Sequence, residues 1–467
     1  MTLRKCALVL ATFALASCDS APEAVAPGAG DAVPPVALQE VSGTPDFQAA
    51  PQHIILTKGK SRAGVADAVT ELGGTVIFQH ELGFVLASGL TAEGAAALKG
   101  RPEVEAIQED VWMTLDDQVD GDPASAQVTS PDNPTGAFFY ARQWHMRVIG
   151  ADQAWAAGRL GSPDVTVAIL DTGVDYGYPD LQGRVDLSRS VSFIPTDDAL
   201  VATYFPGRHP STDLRYHGTH VAATVASNGL VGAGVTSRAT LTAVKVCNVN
   251  GSCPFGAVVA GILYAADTGA DVVNMSLGGG FSKAGLGEFV GFINKLFTYA
   301  EQQGVTMVVS SGNDAADLDH NGNVFATYCD AAGVICVSAT GPTARGSVNG
   351  PFTNVDAPAY YTNFGRSAIS VASPGGNVGS PVYAACSQTS LVVPICQTGN
   401  YILGISGTSM AAPHVSGLAA LVVEDLGRVP GRVKASIQRN AEDLGDRGVD
   451  PFYGKGRIHV GSTLGLN

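Results

Sequence analysis

The protein has 467 residues, a formal net charge of -15 and a pI near 4.9. This surplus of carboxylates argues against nucleic acid or an anionic membrane surface as a partner, because both would repel it. The length exceeds one ordinary domain, so we expect two folded units, or one large unit with processed segments.

The N-terminus has the pattern of an export signal. Two basic residues precede an apolar run from Ala7 to Ala16 that is too short to span a bilayer. The run leads into a Leu-Ala-Ser-Cys sequence at Cys18, which resembles the lipobox of bacterial lipoproteins. We therefore expect a lipoprotein-type signal peptide over residues 1–17 and lipidation at Cys18, with ordinary cleavage after Ala16 as the alternative. The protein would then be exported and either lipid-anchored to the bacterial cell envelope or secreted after processing, and the lipid would be its membrane contact.

A tether and a small mixed unit follow. Residues 18–50 are rich in Ala, Pro, Gly and Val without a period, which is typical of a flexible tether. The apolar pattern of residues 51–115 predicts strand, helix, two strands, helix and strand, which is a small α+β unit of the ferredoxin-like type. We predict these elements at His53–Leu56, Ala63–Leu72, Thr75–His80, Gly83–Ala87, Ala92–Lys99 and Val104–Gln108.

The rest of the chain predicts a linker and a larger domain. Residues 116–139 are polar and rich in Asp, and they lack periodicity, which indicates an exposed linker open to proteolysis. Residues 140–467 alternate apolar strands with helices, which predicts an α/β domain with a parallel sheet and helices on both faces. Its strands are predicted at Val165–Leu170, Thr240–Val246, Val272–Asn274, Val305–Ser310 and Val334–Ser338, and its helices at Ala257–Thr268, at Phe289–Gln303, from His217 and from Ser409.

Cysteine usage agrees with export. Eight cysteines are present, and six of them follow Cys18. An exported protein meets an oxidising compartment, so this even number predicts disulfides. Pairing between neighbours is the simplest arrangement, and zinc is a poor alternative because no Cys-x-x-Cys pair or nearby His completes a ligand set. The candidates are Cys247, Cys253, Cys329, Cys336, Cys386 and Cys396.

Three segments of the large domain carry polar residues that suit catalysis. A buried strand ends abruptly at Asp171, so its carboxylate is expected at the carboxyl edge of the sheet, where α/β proteins hold their sites. His217 begins a helix of small residues, and a neutral imidazole can take a hydroxyl proton and return it to a leaving amine. Ser409 begins a helix whose N-terminal end favours an oxyanion. Taken singly, a turn-capping Asp, a satisfied His and an N-cap Ser are the alternatives.

These segments, Asp171-Thr-Gly, His217-Gly-Thr-His and Gly-Thr-Ser409-Met-Ala, resemble the three signatures of the subtilisin-like serine proteases (subtilases, peptidase S8), in the order known for subtilisin. The resemblance implies a serine endopeptidase that hydrolyses peptide bonds in proteins through an acyl-enzyme on Ser409. Asn313, which follows a strand and Gly312, is similar to the family's oxyanion-hole residue. The resemblance also implies four substrate-binding residues, Ser276, Leu277, Gly278 and Gly312.

The N-terminal unit is similar to the inhibitory propeptides (inhibitor I9 type) of these proteases, through Gly73-Gly74, Gly83-Phe84 and the segment that ends at Asp110. This implies that residues 51–115 inhibit the enzyme in cis until it cleaves itself within or just before residues 116–134. An independent ferredoxin-like binding domain is the alternative for this unit.

The resemblance implies no cofactor for the chemistry, a monomer, and protein or peptide substrates as partners. The family also implies structural calcium. Asp180 resembles a family calcium ligand, but the loop from Ser227 to Gly232 is shorter than the loop of the family's tight calcium site.

Two other functions stay open at this point. One is a catalytically silent, lipid-anchored binding protein that keeps the fold. The other is a hydrolase of the same fold that acts on esters or joins peptides. The complete set of Asp171, His217, Ser409 and Asn313 weighs against the silent protein, because binding alone does not require all four.

Overall fold

The computed structural model describes residues 52–59, 61–115, 118–128, 133–278, 281–283, 287–325 and 328–466. The expected signal peptide, the tether and the lipidation site at Cys18 lie outside these residues. Within the described ranges, no helix is both long and apolar enough to cross a membrane.

The N-terminal unit forms a four-stranded antiparallel sheet with two helices, and the α+β prediction is confirmed. Its strand order is β2-β3-β1-β4, as a ferredoxin-like βαββαβ unit requires. The elements are β1 (Gln52–Thr57), α1 (Arg62–Glu71), β2 (Thr75–His80), β3 (Phe84–Ser88), α2 (Ala92–Lys99) and β4 (Val104–Glu109).

Both faces of this small sheet are apolar. Ile55 and Val85 pack with residues of the unit's own helices, including Val69. Their neighbours in sequence, such as Leu56 and Phe84, point to the opposite face because side chains alternate along a strand. That face packs on helices of the large domain, where the Phe84 ring lies 5.7 Å from the ring of Phe292. The sheet is therefore sandwiched between its own helices and the large domain.

The predicted linker contains a strand, and in this respect the prediction was wrong. After β5 (Trp112–Thr114), the structure has β6 (Gln118–Ala126), which pairs antiparallel with β21 (Asn400–Ser406). The sequence of β6 is poor in β-branched residues, and its hydrogen-bonding partner lies far along the chain. Tertiary pairing overrides local propensity here.

The large domain alternates strands and helices as predicted. Its first half contains α3 (Trp144–Val148), α4 (Ala151–Ala156), β7 (Thr166–Asp171), β8 (Val191–Ser192), α5 (Pro195–Tyr204), α6 (His217–Val225), β9 (Thr240–Lys245), β10 (Ser252–Pro254), α7 (Phe255–Asp267), β11 (Val272–Met275), β12 (Phe281–Ser282), α8 (Gly287–Gln302) and β13 (Thr306–Ser310). Its second half contains β14 (Val324–Phe325), β15 (Ile335–Gly341), β16 (Ala344–Arg345), β17 (Phe352–Thr353), β18 (Ala357–Pro358), β19 (Val371–Pro374), β20 (Val382–Ala385), β21, α9 (Thr408–Leu426), α10 (Pro430–Arg439) and α11 (Val460–Thr463).

The main sheet has eight strands among the described residues, in the order β18-β15-β13-β11-β7-β9-β8 with β19 beside β15. Apart from β18, the strands pair in parallel. In the central β7, Val167 and Ile169 face one core with α6 and α9, while Ala168 and Leu170 face another with α7 and α8. The prediction of a parallel sheet with helices on both faces is confirmed, and Asp171 lies at its carboxyl edge.

Three disulfides join neighbouring cysteines, which are the pairs that the sequence favours. They connect Cys247 to Cys253, Cys329 to Cys336 and Cys386 to Cys396.

Candidate active site

Asp171 and His217 form a buried hydrogen-bonded pair. Asp171 is the last residue of β7, and His217 is the first residue of α6. The Asp171 Oδ1 lies 2.7 Å from the His217 Nδ1 and also accepts the Thr172 N–H at 2.7 Å. Both side chains are fully buried. This geometry places the imidazole proton on Nδ1, so Nε2 is the nitrogen that can act as a base.

The start of α6 is fixed by contacts that explain its sequence. A Cβ on Gly218 would lie 2.0 Å from the Gly173 carbonyl oxygen, so any larger residue would force the start of α6 or the backbone at Gly173 to move. The buried Asp213 accepts the Thr219 N–H at 2.9 Å and the Thr172 hydroxyl at 2.9 Å. Burial raises the pKa of Asp213 to about 6. Asp213 was not among the predicted site residues, because it lies three positions before Tyr216, the N-cap of α6, and so outside the usual capping position.

Ser409 opens onto a cavity of about 270 Å³ at the N-terminus of α9. Asn313, Gly312 and Gly278 line the same cavity. Helix α6, which carries His217, packs against α9. The structure therefore gathers the predicted nucleophile, the predicted oxyanion donor and two predicted substrate-binding glycines around one opening.

The orientation of the Asn313 amide is set by Thr408. The Asn313 Oδ1 accepts both the Thr408 N–H at 2.8 Å and the Thr408 hydroxyl at 2.9 Å. The same hydroxyl accepts the Gly312 N–H at 3.0 Å. Since the oxygen of the amide is committed to Thr408, the Nδ2 group is the donor that Asn313 offers on its other side. Thr408 is a positioning residue that the sequence analysis missed.

Two of the predicted substrate-binding residues, Ser276 and Leu277, are not among the residues that line the cavity. The Ser276 hydroxyl donates to the backbone oxygen of Ser409 at 2.6 Å and accepts the Asn274 amide at 2.9 Å. The Leu277 side chain is buried in the core beneath the sheet edge. The side chain of Ser276 thus supports the backbone of Ser409, while Gly278 lines the cavity itself.

A buried histidine pair connects helix α9 to the start of the large domain. His414 on α9 donates from Nδ1 to the Met410 carbonyl at 2.8 Å. Its Nε2 lies 2.8 Å from the Nδ1 of His145 on α3, which must therefore be the donor. Burial lowers the pKa of His414 to about 4 and holds the pKa of His145 well below its usual value. Both imidazoles are neutral near pH 7.

Asp180 has surroundings that do not fit a calcium ligand. Its two carboxylate oxygens accept the N–H groups of Leu230, Val231 and Gly232 at 2.8 to 2.9 Å. Amide hydrogens directed at both oxygens would repel a cation placed there. No group of three or more His, Cys, Asp or Glu side chains suited to a metal was found in the described part of the chain. The loop from Ser227 to Gly232 is instead held against Asp180 by these three hydrogen bonds.

The segment after the N-terminal unit also reaches the cavity. Residues Trp112 to Leu115 line it together with Ser409. Strand β5 pairs antiparallel with β10, and the Asp110 carboxylate accepts the Gly256 N–H at the N-terminus of α7 at 2.9 Å. These contacts join residues that are distant in sequence, and the sequence pattern did not predict them.

The fold and the site define an α/β protein of the subtilisin-like architecture. Residues 162–456 match the model of peptidase S8, the subtilase family, and the chain belongs to this family of subtilisin-like serine proteases. It is similar to thermitase of Thermoactinomyces vulgaris, with 31% identity over 339 residues that cover 70% of this chain and 97% of thermitase. It is also similar to subtilisin DY of Bacillus licheniformis, with 31% identity over 316 residues that cover 67% and 95% of the two chains.

Solved structures share the fold. The epidermin leader peptide processing serine protease of Staphylococcus aureus superposes with a TM-score of 0.68 at 20% identity, covering 89% of this chain and 98% of that one. Fervidolysin of Fervidobacterium pennivorans gives a TM-score of 0.62 at 23% identity, covering 89% and 61%. At such identities the likeness concerns the fold alone.

Proposed function

We propose that the protein is a serine endopeptidase that hydrolyses peptide bonds in proteins through an acyl-enzyme on Ser409. The observation that carries the proposal is the buried hydrogen bond between Asp171 and His217, on a helix that packs against the one bearing Ser409. The Asn313 amide, oriented by Thr408, shares a cavity with Ser409.

The proposed chemistry follows from these positions. The His217 Nε2 takes the Ser409 hydroxyl proton as the Oγ attacks the peptide carbonyl carbon, and Asp171 stabilises the imidazolium that forms. The Asn313 Nδ2 and the Ser409 N–H hold the oxyanion. His217 then gives its proton to the leaving amine, and a water molecule activated by the same nitrogen releases the acyl group from Ser409.

We also propose that the N-terminal unit inhibits the enzyme in cis and that the enzyme removes it. The support is the lining of the cavity by residues 112–115 and the docking of Asp110 on α7. A peptide held across the cavity would exclude other substrates from Ser409. Release of this unit would open the site.

Export and a lipid on Cys18 belong to the same proposal, on the sequence pattern alone. Metabolic labelling with a radioactive fatty acid tests the lipid, and Cys18→Ala should abolish the label. A Cys6→Ala variant is the matched control, because Cys6 lies inside the expected signal peptide.

A fluorophosphonate probe tests the catalytic proposal directly. Processed wild type should be labelled on Ser409, as located by mass spectrometry, and Ser409→Ala should not be labelled. Ser347→Ala, at an exposed serine, is the control and should label like the wild type. A folded and fully processed sample that takes up no label would favour the silent binding protein instead.

The autoprocessing part has its own test. Purified Ser409→Ala should keep its propeptide, whereas the wild type should shorten at a rate that does not depend on added protease. Normal processing of the purified variant would contradict self-cleavage.

A further inference from the structure

Tyr328 is a buried tyrosine whose hydroxyl contacts the segment that lines the Ser409 cavity. It is 1% exposed, and its hydroxyl donates to the Sδ of Met113 at 3.8 Å. Met113 is the central residue of β5 and lines the cavity together with Ser409. Among the described residues, the thioether of Met113 is the one acceptor that this hydroxyl contacts. The large domain thus presents a buried donor to a side chain of β5.

The position of the Tyr328 ring is fixed by its surroundings. The centroids of three phenylalanine rings lie near its own, at 6.3 Å for Phe255 of α7, 5.9 Å for Phe297 of α8 and 5.9 Å for Phe325 of β14. The next residue, Cys329, is held to β15 by a disulfide. A ring packed in this way cannot turn its hydroxyl towards another acceptor. Burial also raises the pKa of Tyr328 well above its usual value, so the hydroxyl keeps its proton and stays a donor.

Departure of β5 leaves the Tyr328 hydroxyl without this acceptor. The proposed removal of the N-terminal unit takes Met113 away, while Tyr328 belongs to the large domain and stays. A buried donor without an acceptor is unfavourable, and a ligand that supplies an acceptor removes this cost. A site built around such a donor therefore rejects a ligand of the same shape that lacks the acceptor.

Strand β10 determines which side chain of a bound peptide meets Tyr328. Cys253 of β10 lies opposite Met113, and the side chains of opposed residues share one face of a sheet. Cys253, Met113 and Tyr328 belong to the same core cluster. Among the described strands, β10 pairs with β5 alone. Loss of β5 frees this edge for a substrate strand, which then places one side chain where Met113 lies.

We propose that Tyr328 determines the specificity of the enzyme through the Met113 subsite, which is the space that the Met113 side chain fills beside Tyr328. The subsite accepts an unbranched side chain with an uncharged acceptor near its end, as in methionine, and disfavours an alkyl chain of the same length. It also disfavours a carboxylate, because the surrounding cluster is apolar. This inference rests on the proposed peptidase function and adds a substrate class to it, namely peptides with methionine at the position that pairs with Cys253.

The first measurement is competitive inhibition of peptide anilide hydrolysis by processed enzyme. Two capped peptides carry the sequence of residues 110–115, one with methionine at the position of Met113 and one with norleucine, in which a methylene replaces the sulfur. The methionine peptide should inhibit about fivefold more strongly, because norleucine leaves the Tyr328 hydroxyl without an acceptor. Equal inhibition constants for the two peptides on the wild-type enzyme would overturn the inference.

The variant Tyr328→Phe removes the donor and keeps the ring. Both peptides should inhibit this variant equally, and its melting temperature should not fall, since the hydroxyl of the processed enzyme has no acceptor to lose. Tyr204→Phe, at an exposed tyrosine on α5, is the matched control and should keep the fivefold ratio of the wild type. A ratio that persists in Tyr328→Phe would assign the preference to contacts of sulfur with the aromatic rings and would overturn the role of the hydroxyl.

The second measurement is the sequence preference of the enzyme on a mixture of peptides, with the cut sites located by mass spectrometry. Methionine should be enriched over leucine at one fixed position on the acyl side of the cut bond, and Tyr328→Phe should abolish this enrichment. Cutting without any such enrichment in the wild type would overturn the inference and leave the peptidase proposal standing. Absence of anilide hydrolysis together with absence of fluorophosphonate labelling would refute the peptidase proposal itself.

Discussion

Replacing Asn313 with Ala should slow the acylation step and leave substrate binding almost unchanged. The Asn313 Oδ1 accepts two hydrogen bonds from Thr408, so the amide cannot turn without losing both, and Nδ2 is its donor group. Loss of one such donor costs about 3 kcal/mol of transition-state stabilisation, which corresponds to about a hundredfold fall in kcat. KM should change little, because the donor acts on the oxyanion and not on the bound substrate.

A second variant distinguishes the role of Nδ2 as a donor from the role of Oδ1 as the acceptor for Thr408. Asn313→Asp keeps an oxygen for Thr408 but replaces the donor with a negative charge, so kcat should fall at least as far as in Asn313→Ala. The assay is steady-state hydrolysis of a peptide anilide by processed enzyme, with active sites counted by titration. Asn250→Ala, at an exposed asparagine, is the control. A kcat for Asn313→Ala within about threefold of the wild type, or a loss confined to KM, would refute the oxyanion role.

Three further predictions concern pH and stability. Burial lowers the pKa values of His145 and His414, so below about pH 6.5 the unfolded state binds protons that the folded state does not. The melting temperature of Ser409→Ala should therefore fall as the pH drops from about 6.5 towards 4. Replacing His145 with Asn in this background should make the fall shallower. Asp180→Ala leaves three N–H groups without their acceptor and should lower the free energy of unfolding by about 3 kcal/mol. Adding EDTA to the wild type should cause no such loss. A comparable loss of stability in EDTA would indicate a cation at Asp180. Burial raises the pKa of Asp110 to about 7, so docking of the N-terminal unit takes up a proton. In gel filtration, the cut propeptide should therefore leave the enzyme more readily at pH 8 than at pH 5, and Asp110→Asn should remove this difference. Equal release of the wild-type propeptide at the two pH values would contradict the role of Asp110.

Local patterns were enough to predict most regular elements. The predicted helix at Ala92–Lys99 and the predicted strand at Thr75–His80 coincide with α2 and β2. These segments have a clear apolar period and turn residues at their ends, so sequence and tertiary structure favour the same conformation. The three signature segments were located for the same reason, since each combines a strand end or a helix start with a polar residue.

The missed features depend on residues that are distant in sequence. Strand β6 has little intrinsic strand preference and exists because β21 offers it an edge. The hydrogen bond between His145 and His414 spans 269 positions, and the sequence around neither residue predicts it. The side-chain role of Ser276 depends on where the backbone of Ser409 comes to lie. Short-range sequence patterns contain no information about contacts between residues that are distant in the chain.

If the proposed peptidase activity holds, the protein is exposed to active copies of itself, and the disulfides then have a further consequence. They close short loops, with sequence separations of 6, 7 and 10, and each is worth about 2 to 3 kcal/mol through the unfolded chain. A covalent bridge also retains both ends of any peptide bond that is cut inside the loop. A nick between Cys386 and Cys396, for example, leaves two new ends that remain attached to the folded protein. Damage by neighbouring molecules at these loops is then survivable, and the lifetime of the protein is set by its unbridged segments.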